Sequence, residues 1–279
     1  MINCRLIGAN IDKSKSPEFH NLLAEQLNIE LSYQLSPLET GKLDDFKIHS
    51  SKMESGNIHA TNVTYPYKEM AIQVADFLDA SAKIVEASNT LVFRPEGTFA
   101  YNTDFSGFIN AYKLFRHHKP GKTVLIGCGG VGKAIAAALT ELEAEQIALY
   151  DRDTEKMCGL AKLLEKRDVK VTCLTEATLE QSVREADGLL NCTPIGHYKT
   201  PGIPISSDWI ENQKWVFDAV YTPIETEFIK AALGANLAVL TGFELFFHQA
   251  VDAFQLFTDR ELTPQELSQF RQNQYANPV

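Results

Sequence analysis

Thr123-Val124-Leu125-Ile126-Gly127-Cys128-Gly129-Gly130-Val131-Gly132-Lys133-Ala134-Ile135-Ala136 lies near the middle of the chain and decides its fold. Four apolar residues suited to a buried strand run into a glycine-rich turn, and the turn opens an alanine-rich helix through Leu139. Strand, G-x-G-x-x-G turn and helix in this order form the dinucleotide-binding fingerprint. Gly127 and Gly129 let the backbone turn sharply and approach a pyrophosphate. Gly132 lets the helix pack close to the strand, and the helix N-terminus offers amides to phosphate oxygens. About twenty residues on, the strand-like run Gln146-Ile147-Ala148-Leu149-Tyr150 ends in Asp151, where a ribose hydroxyl calls for a carboxylate. More than a hundred residues precede the fingerprint, so a separate N-terminal unit is expected, and that unit should hold the substrate.

Strand and helix signals alternate on both sides of this centre. Before it, strands are expected at Cys4–Gly8, Leu31–Leu35, Ile58–Val63, Thr90–Phe93 and Thr98–Tyr101. Helices are expected at Pro17–Leu27, Asp44–Ser51, Glu69–Leu78, Ser81–Glu86 and Phe105–Arg116. Lys119-Pro120-Gly121 reads as the first hinge between domains. After the fingerprint, βα units continue to Ala238-Val239-Leu240 and imply right-handed crossovers and a parallel sheet. Two helices follow, Glu244–Phe257 and Pro264–Asn273, and are expected to return to the first domain. The expected division is a substrate domain of residues 1–104 and 241–279 around a dinucleotide-binding domain of residues 105–240.

Composition narrows the function classes. At 279 residues and 44% hydrophobic content, the chain can bury one large core or two modest ones. A net charge of −10 argues against a nucleic-acid or anionic-membrane surface. No apolar run is long enough for a membrane span, and the N-terminus lacks a signal-peptide pattern. Five scattered cysteines without a C-x-x-C pair point to free thiols in a reducing compartment, hence the cytoplasm. The adjacent His117-His118 lacks further ligands at metal spacing, so no metal site is expected.

Alcohol oxidation without a metal needs a side-chain base beside an orienting partner. The polar turns Asn62-Val63-Thr64-Tyr65-Pro66-Tyr67-Lys68 and Tyr101-Asn102-Thr103-Asp104 follow strands, where ligand sites of open α/β sheets form. Lys68 and Asp104 are therefore a candidate pair. They also have plain readings, as a solvated first-turn lysine and a helix N-cap. Ser14-Lys15-Ser16-Pro17 reads either as an N-cap with proline at the first helical position or as two hydroxyls gripping a carboxylate. Asn191-Cys192-Thr193-Pro194-Ile195-Gly196 ends a strand in the dinucleotide half, so its loop should face the cofactor. Tyr221 and Gln249 are polar residues in apolar context.

Taken in order, these motifs resemble the shikimate dehydrogenase family. Ser-x-Ser-Pro, Asn-Val-Thr-x-Pro-x-Lys, Asn-Thr, Asn-Thr-Asp, the glycine-rich turn, Asn-x-Thr-Pro-x-Gly, Asp-x-x-Tyr-x-Pro and Gln-Ala-x-x-Ala-Phe run in register through most of the chain. The resemblance implies an α/β fold in which a substrate domain with a mostly parallel sheet joins a Rossmann-like NAD(P)-binding domain. It implies Lys68 and Asp104 as catalytic residues, with Ser14, Ser16, Thr64, Asn89, Tyr221 and Gln249 lining the site for a cyclic polyhydroxy carboxylate. The implied cofactor residues are Gly127, Gly129, Gly130, Val131, Gly132, Asp151, Arg152, Asp153, Thr193, Pro194, Val220 and Gly242. Whether the protein is a monomer or a homodimer is open at this stage.

Three departures matter. Biosynthetic members carry Asn-Arg-Thr after the second strand of the cofactor domain, with the arginine on the 2′-phosphate of NADP. Here the residues are Asp151-Arg152-Asp153, which resembles the NAD-preferring quinate/shikimate dehydrogenases. So do Pro223–Glu227 and His248–Phe254. NAD is the expected cofactor, with NADP use left open by Arg152. His197 stands where the family has methionine, and Glu86 replaces a glycine. The alternatives are an NADP-dependent biosynthetic shikimate dehydrogenase and a catalytically idle nucleotide-sensing homologue.

Overall fold

The structure is a computed structural model that describes residues 1–275. Two compact units emerge, Met1–Thr103 together with the chain from Gln249 onward, and Asp104–His248.

The first unit begins β1 (Ile2–Gly8), α1 (Ser16–Gln26), β2 (Leu31–Pro37), α2 (Leu43–Glu54), β3 (Ala60–Val63) and α3 (Lys68–Ala71). It continues with β4 (Phe77–Leu78), α4 (Ala80–Val85), β5 (Thr90–Arg94) and β6 (Gly97–Tyr101). The strands form one sheet in the order β2-β1-β3-β5-β6-β4. Only β5 runs against its neighbours. Cys4, Leu6 and Tyr33 on one face pack with Ala253 and Phe257, so the C-terminal helices do return to this unit. Phe270 closes edge-on against Phe19 at 5.1 Å.

The expected helix over Glu69–Leu78 is one turn only. Asp76 explains the break: its amide donates to Thr98 O at 2.9 Å and its carboxylate accepts from Thr98 N at 2.8 Å. Phe77 and Leu78 then join the edge of β6, with Phe77 stacked on Phe99 at 4.6 Å. Glu86 ends α4 at φ 54°, in the left-handed region where glycine is at ease. That explains why a glycine suits this position.

His20 lies flat on Tyr33 at 4.4 Å, 1% exposed, and its Nδ1 has no hydrogen-bond partner. Burial opposes its charged form and pulls its pKa down to about 3. The unfolded chain takes up that proton near the ordinary 6.5, so between these values the unfolded state binds more protons and stability rises with pH. From pH 5 to 6.5 the gain from this group is about 2 kcal/mol, at about 1.4 kcal/mol per pH unit. Urea unfolding of His20→Phe at pH 5 and pH 7 should show a pH-dependent gain smaller than that of the parent by about that amount. An unchanged difference would place the acid sensitivity elsewhere.

The second unit starts with α5 (Thr103–Phe115). It continues with β7 (Lys122–Ile126), α6 (Gly130–Glu141), β8 (Gln146–Tyr150), α7 (Thr154–Leu164), β9 (Lys170–Cys173) and α8 (Glu176–Arg184). Then come β10 (Gly188–Asn191), β11 (Trp215–Asp218), α9 (Glu227–Gly234) and β12 (Ala238–Thr241). All strand pairs are parallel, in the order β12-β11-β10-β7-β8-β9. This is the doubly wound order, and its switch point lies between β7 and β10. The chain passes back to the first unit inside α10 (Gly242–Thr258) and ends there with α11 (Pro264–Tyr275).

Pro120-Gly121 is not a hinge between units. It lies within the second unit, where Trp215 Nε1 donates to Pro120 O at 3.1 Å and Glu145 N donates to Gly121 O at 3.0 Å. A segment tied to β11 and to the residue before β8 cannot act as a free joint.

Candidate active site

In the first unit the site grows from the register of three strands. Asn62 pairs with Thr90, and Thr90 pairs with Tyr101, so the polar ends of β3, β5 and β6 line up in one row. Asn62 Nδ2 donates to Thr90 Oγ1 at 2.9 Å and to Asn89 O at 3.2 Å. Thr90 Oγ1 donates to Asn89 Oδ1 at 2.9 Å, and Thr103 N donates to the same oxygen at 2.7 Å. Asn89 Nδ2 in turn donates to Thr103 Oγ1 at 3.0 Å. Asn89 is 3% exposed, and this network fixes which end of its amide faces each neighbour.

Lys68 begins α3 after the Thr64–Tyr67 turn and is half-buried. Its carbonyl accepts from Ser88 N at 2.8 Å, which ties it to the segment that carries Asn89. Asp104 is 7% exposed and lies in the first turn of α5, so it is not an N-cap. It directly follows Thr103, which the Asn89 amide pins. Thr64 is half-buried and its methyl lies where a side chain on Gly8 would stand.

Neither Ser14 nor Ser16 occupies the N-cap position of α1, although Ser14 Oγ accepts from Ser16 N at 3.3 Å. The cap position is Lys15, in helical conformation and without a side-chain cap bond. Ser14 Oγ instead donates to Ser16 Oγ at 3.2 Å, so both hydroxyls gather at one place. Gln249 is half-buried on α10. Tyr221, in the second unit, stacks on Phe246 at 5.1 Å, and burial pushes its phenol pKa up.

In the second unit, the three fingerprint glycines have separable reasons. Gly127 has φ 98°, and a Cβ there meets the Cys192 and Thr193 backbone at 2.8 Å. A Cβ on Gly132 falls 1.9 Å from Gly127 O, so only glycine lets α6 sit this close. A Cβ on Gly129 meets nothing within 4 Å, so the protein itself does not demand glycine there. α6 begins at Gly130 with Val131 in its first turn, whose amides have no partners within the helix. Amides at a helix N-terminus are suited to phosphate oxygens. Gly132→Ala should therefore lose about 1–3 kcal/mol of stability to overpacking in a denaturant melt. Gly129→Ala should keep the parent's stability and lose dinucleotide affinity in a titration. Equal stability loss in both variants would contradict the assignment.

Asp151 does more than the sequence reading gave it. One carboxylate oxygen accepts from Cys128 N at 2.6 Å and the other from Asp153 N at 2.8 Å. The carboxylate thus holds the glycine-rich turn against the end of β8, and each oxygen keeps a lone pair for a ligand hydroxyl. Asp153 caps α7 by accepting from Lys156 N at 3.2 Å, while Arg152 is exposed. On the far side of the switch point, Thr193 Oγ1 donates to Asn191 Oδ1 at 2.7 Å and starts the Pro194 turn. His197 Nδ1 accepts from Lys199 N at 3.1 Å, which gives it a local part in that loop.

Asp218 carries no role in the sequence reading, yet it organises this side. It is fully buried and accepts from Asn191 Nδ2 at 2.9 Å, Val220 N at 3.0 Å and Thr226 Oγ1 at 2.6 Å. Burial pushes its carboxyl up to about 6 against the pull of those hydrogen bonds. Gly242 lies against the carbonyls of Asp218 and Ala219, within 2.7 Å of a built Cβ. Val220 and Gly242 thereby sit on one short stretch at the end of β11 and the start of α10. The Asp-x-x-Tyr spacing was the only signal for Asp218.

Comparison with known proteins follows the same division. Residues 6–91 match the shikimate dehydrogenase substrate binding domain, and residues 110–199 match shikimate / quinate 5-dehydrogenase. A shikimate dehydrogenase (NADP(+)) of Pseudarthrobacter chlorophenolicus is 33% identical, covering 94% of this chain and 91% of its own. One from Streptomyces avermitilis is 31% identical, with 92% and 90% covered. Quinate dehydrogenase from Corynebacterium glutamicum, solved in complex with NAD, superposes with a TM-score of 0.88 at 30% identity over 99% of both chains. Shikimate 5-dehydrogenase from Thermus thermophilus, solved with NADP(H) and shikimate, gives 0.85 at 26% identity over 98% and 99%.

Proposed function

Because this chain belongs to the shikimate dehydrogenase family and is an NAD(P)-dependent oxidoreductase, we propose that it oxidises the C3 hydroxyl of quinate and of shikimate, reversibly, with NAD as the preferred dinucleotide. The observation that carries the NAD preference is Asp151. Its carboxylate stands at the end of β8 and accepts from Cys128 N of the glycine-rich turn, where the Asn-Arg-Thr pattern that the family resemblance implies for NADP use would put asparagine. A carboxylate accepts from a ribose 2′-hydroxyl and repels a 2′-phosphate. The names of the curated relatives and the exposed Arg152 favour the second reading, NADP use.

Lys68 is assigned the proton at the reacting hydroxyl, and Asp104 orients the Lys68 amine. Ser14, Ser16 and Tyr221 hold the carboxylate end of the acid. Thr64, Asn89 and Gln249 address the ring hydroxyls, with Asn89 preset by Thr90 and Thr103. A bound nicotinamide dinucleotide supplies the hydride acceptor. Gly127, Gly129, Gly130, Val131 and Gly132, with Asp151, Arg152, Asp153, Thr193, Pro194, Val220 and Gly242, would hold it. All five cysteines are free thiols, in keeping with a reaction in the cytoplasm.

Quinate carries a C1 hydroxyl that shikimate lacks, beside the carboxylate. Serines at 14 and 16 add no methyl to press on C1 and bring hydroxyls that pair the extra oxygen. Both acids should therefore support NADH formation, read as absorbance at the nicotinamide band. Turnover of shikimate with none of quinate would refute the dual specificity. A selective loss of quinate turnover in Ser16→Ala places Ser16 at C1, and an equal loss of both acids places it at the shared carboxylate.

A further inference from the structure

The five cysteines are scattered in sequence, but the second unit brings two of them together. Cys158 lies in the second turn of α7, beside Met157 and Ala161 of its buried face. Cys173 is the last residue of β9, the edge strand of the parallel sheet, opposite Leu149 of β8. α7 is the crossover from β8 to β9 and packs back on both strands. Across that contact the two thiols hydrogen-bond to each other. Partial burial, the Cys158 thiol and the Glu165 carboxylate together raise the Cys173 pKa above the ordinary thiol value, so Cys173 keeps its proton.

Accessibility singles out the same pair. Cys4 and Cys128 are buried and Cys192 is half-buried, while Cys158 and Cys173 are exposed. A small solute that reaches one of the two therefore reaches its partner as well. Neither belongs to the residues assigned to the acid or to the dinucleotide. The thiols stand fifteen positions apart in sequence, and helix and strand are already in contact, so a bond between them needs no rearrangement of the sheet.

We propose that Cys158 and Cys173 form an oxidation site that takes hydroperoxides and closes into an intramolecular disulfide. The Cys158 thiolate attacks the terminal peroxide oxygen. An S–O bond forms, the O–O bond breaks, and the departing oxygen takes a proton to leave as alcohol or water. Cys158 is then a sulfenic acid. The Cys173 thiol attacks that sulfur, the S–S bond forms, and the S–O bond breaks as hydroxide leaves with the Cys173 proton as water. Two thiols give up two electrons and one peroxide is reduced. Cys158 is the attacking sulfur and Cys173 the resolving one, because the attacking form is the thiolate. The new bond clips α7 to the sheet edge and closes a loop that restricts the unfolded chain.

The test treats the full-length protein with a small molar excess of hydrogen peroxide, then counts thiols without denaturant, maps the peptides and records a thermal melt. The reduced parent should show two fast-reacting thiols and the treated parent none, with Cys158 joined to Cys173 inside one chain. Dithiothreitol should restore both thiols. The oxidised parent should melt at least about 3 °C above the reduced one. Cys173→Ser should stop at a sulfenic acid on Cys158, captured by dimedone at least about tenfold more than in the parent, and its melt should not rise. Cys158→Ser should lose the crosslink. Two thiols still free after peroxide, a bond between chains or to Cys128 or Cys192, or equal dimedone capture in parent and Cys173→Ser would overturn the proposal. So would an oxidised parent that melts no higher than the reduced one. These readouts do not depend on turnover, so they stand apart from the proposed reaction.

Discussion

Lys68→Met should lose on the order of 10²- to 10⁴-fold in turnover of quinate or shikimate, the range for a positioned acid–base group. The variant removes the amine and keeps most of the apolar stem. The carbonyl of Lys68 still accepts from Ser88 N, so the Asn89 segment should stay in place. Dinucleotide affinity should change little, because the glycine-rich turn and Asp151 belong to the other unit. Asp104→Asn should act in the same direction, and the double variant should lose less than the product of the two single losses. A Lys68→Met protein with near-parental turnover would mean that another group carries the proton.

The second large effect concerns the dinucleotide. A carboxylate that accepts from a ribose hydroxyl contributes about 1.5–3 kcal/mol, and facing a 2′-phosphate it costs several more by repulsion. NAD should therefore exceed NADP by at least about tenfold to a hundredfold in kcat/KM, at about 1.4 kcal/mol per tenfold. Asp151→Asn with Asp153→Thr should relax or invert that ratio and free Arg152 for the phosphate. Asparagine keeps one acceptor, for Cys128 N, and loses the one for the amide of residue 153, while threonine keeps a cap for α7, so a denaturant melt of the double variant has to show the parental fold before the ratio is read. Retained selectivity in a folded double variant would show that other residues choose the cofactor.

The sequence was most readable where a local pattern and a tertiary need coincide. The run from Thr123 to Leu139 shows its strand, turn and helix by periodicity, and the βα alternation after it dictates the parallel sheet. Lys68 and Asp104 stood out as candidates because they lie in polar turns after strands, and only the family resemblance gave them a catalytic reading. Phe77–Leu78 was not visible. A two-residue strand has no period, and its cause is the pairing of Asp76 with Thr98, twenty-two residues away in sequence. Pro120-Gly121 looked like a joint because local composition cannot show that Trp215 and Glu145 fasten it. Asp218 escaped for a related reason: it is one polar residue in an apolar strand. Its meaning comes from partners such as Thr226 that only the folded sheet supplies. Asp151 was found, but half its work, holding the Cys128 amide, was hidden.

The most direct test of the account is the initial rate of the unmodified protein with quinate and with shikimate, each against NAD and NADP. The account predicts reduction of NAD with both acids, with kcat/KM for NAD at least about tenfold above that for NADP. Equal use of the two dinucleotides, or no reduction of either with either acid, would contradict it.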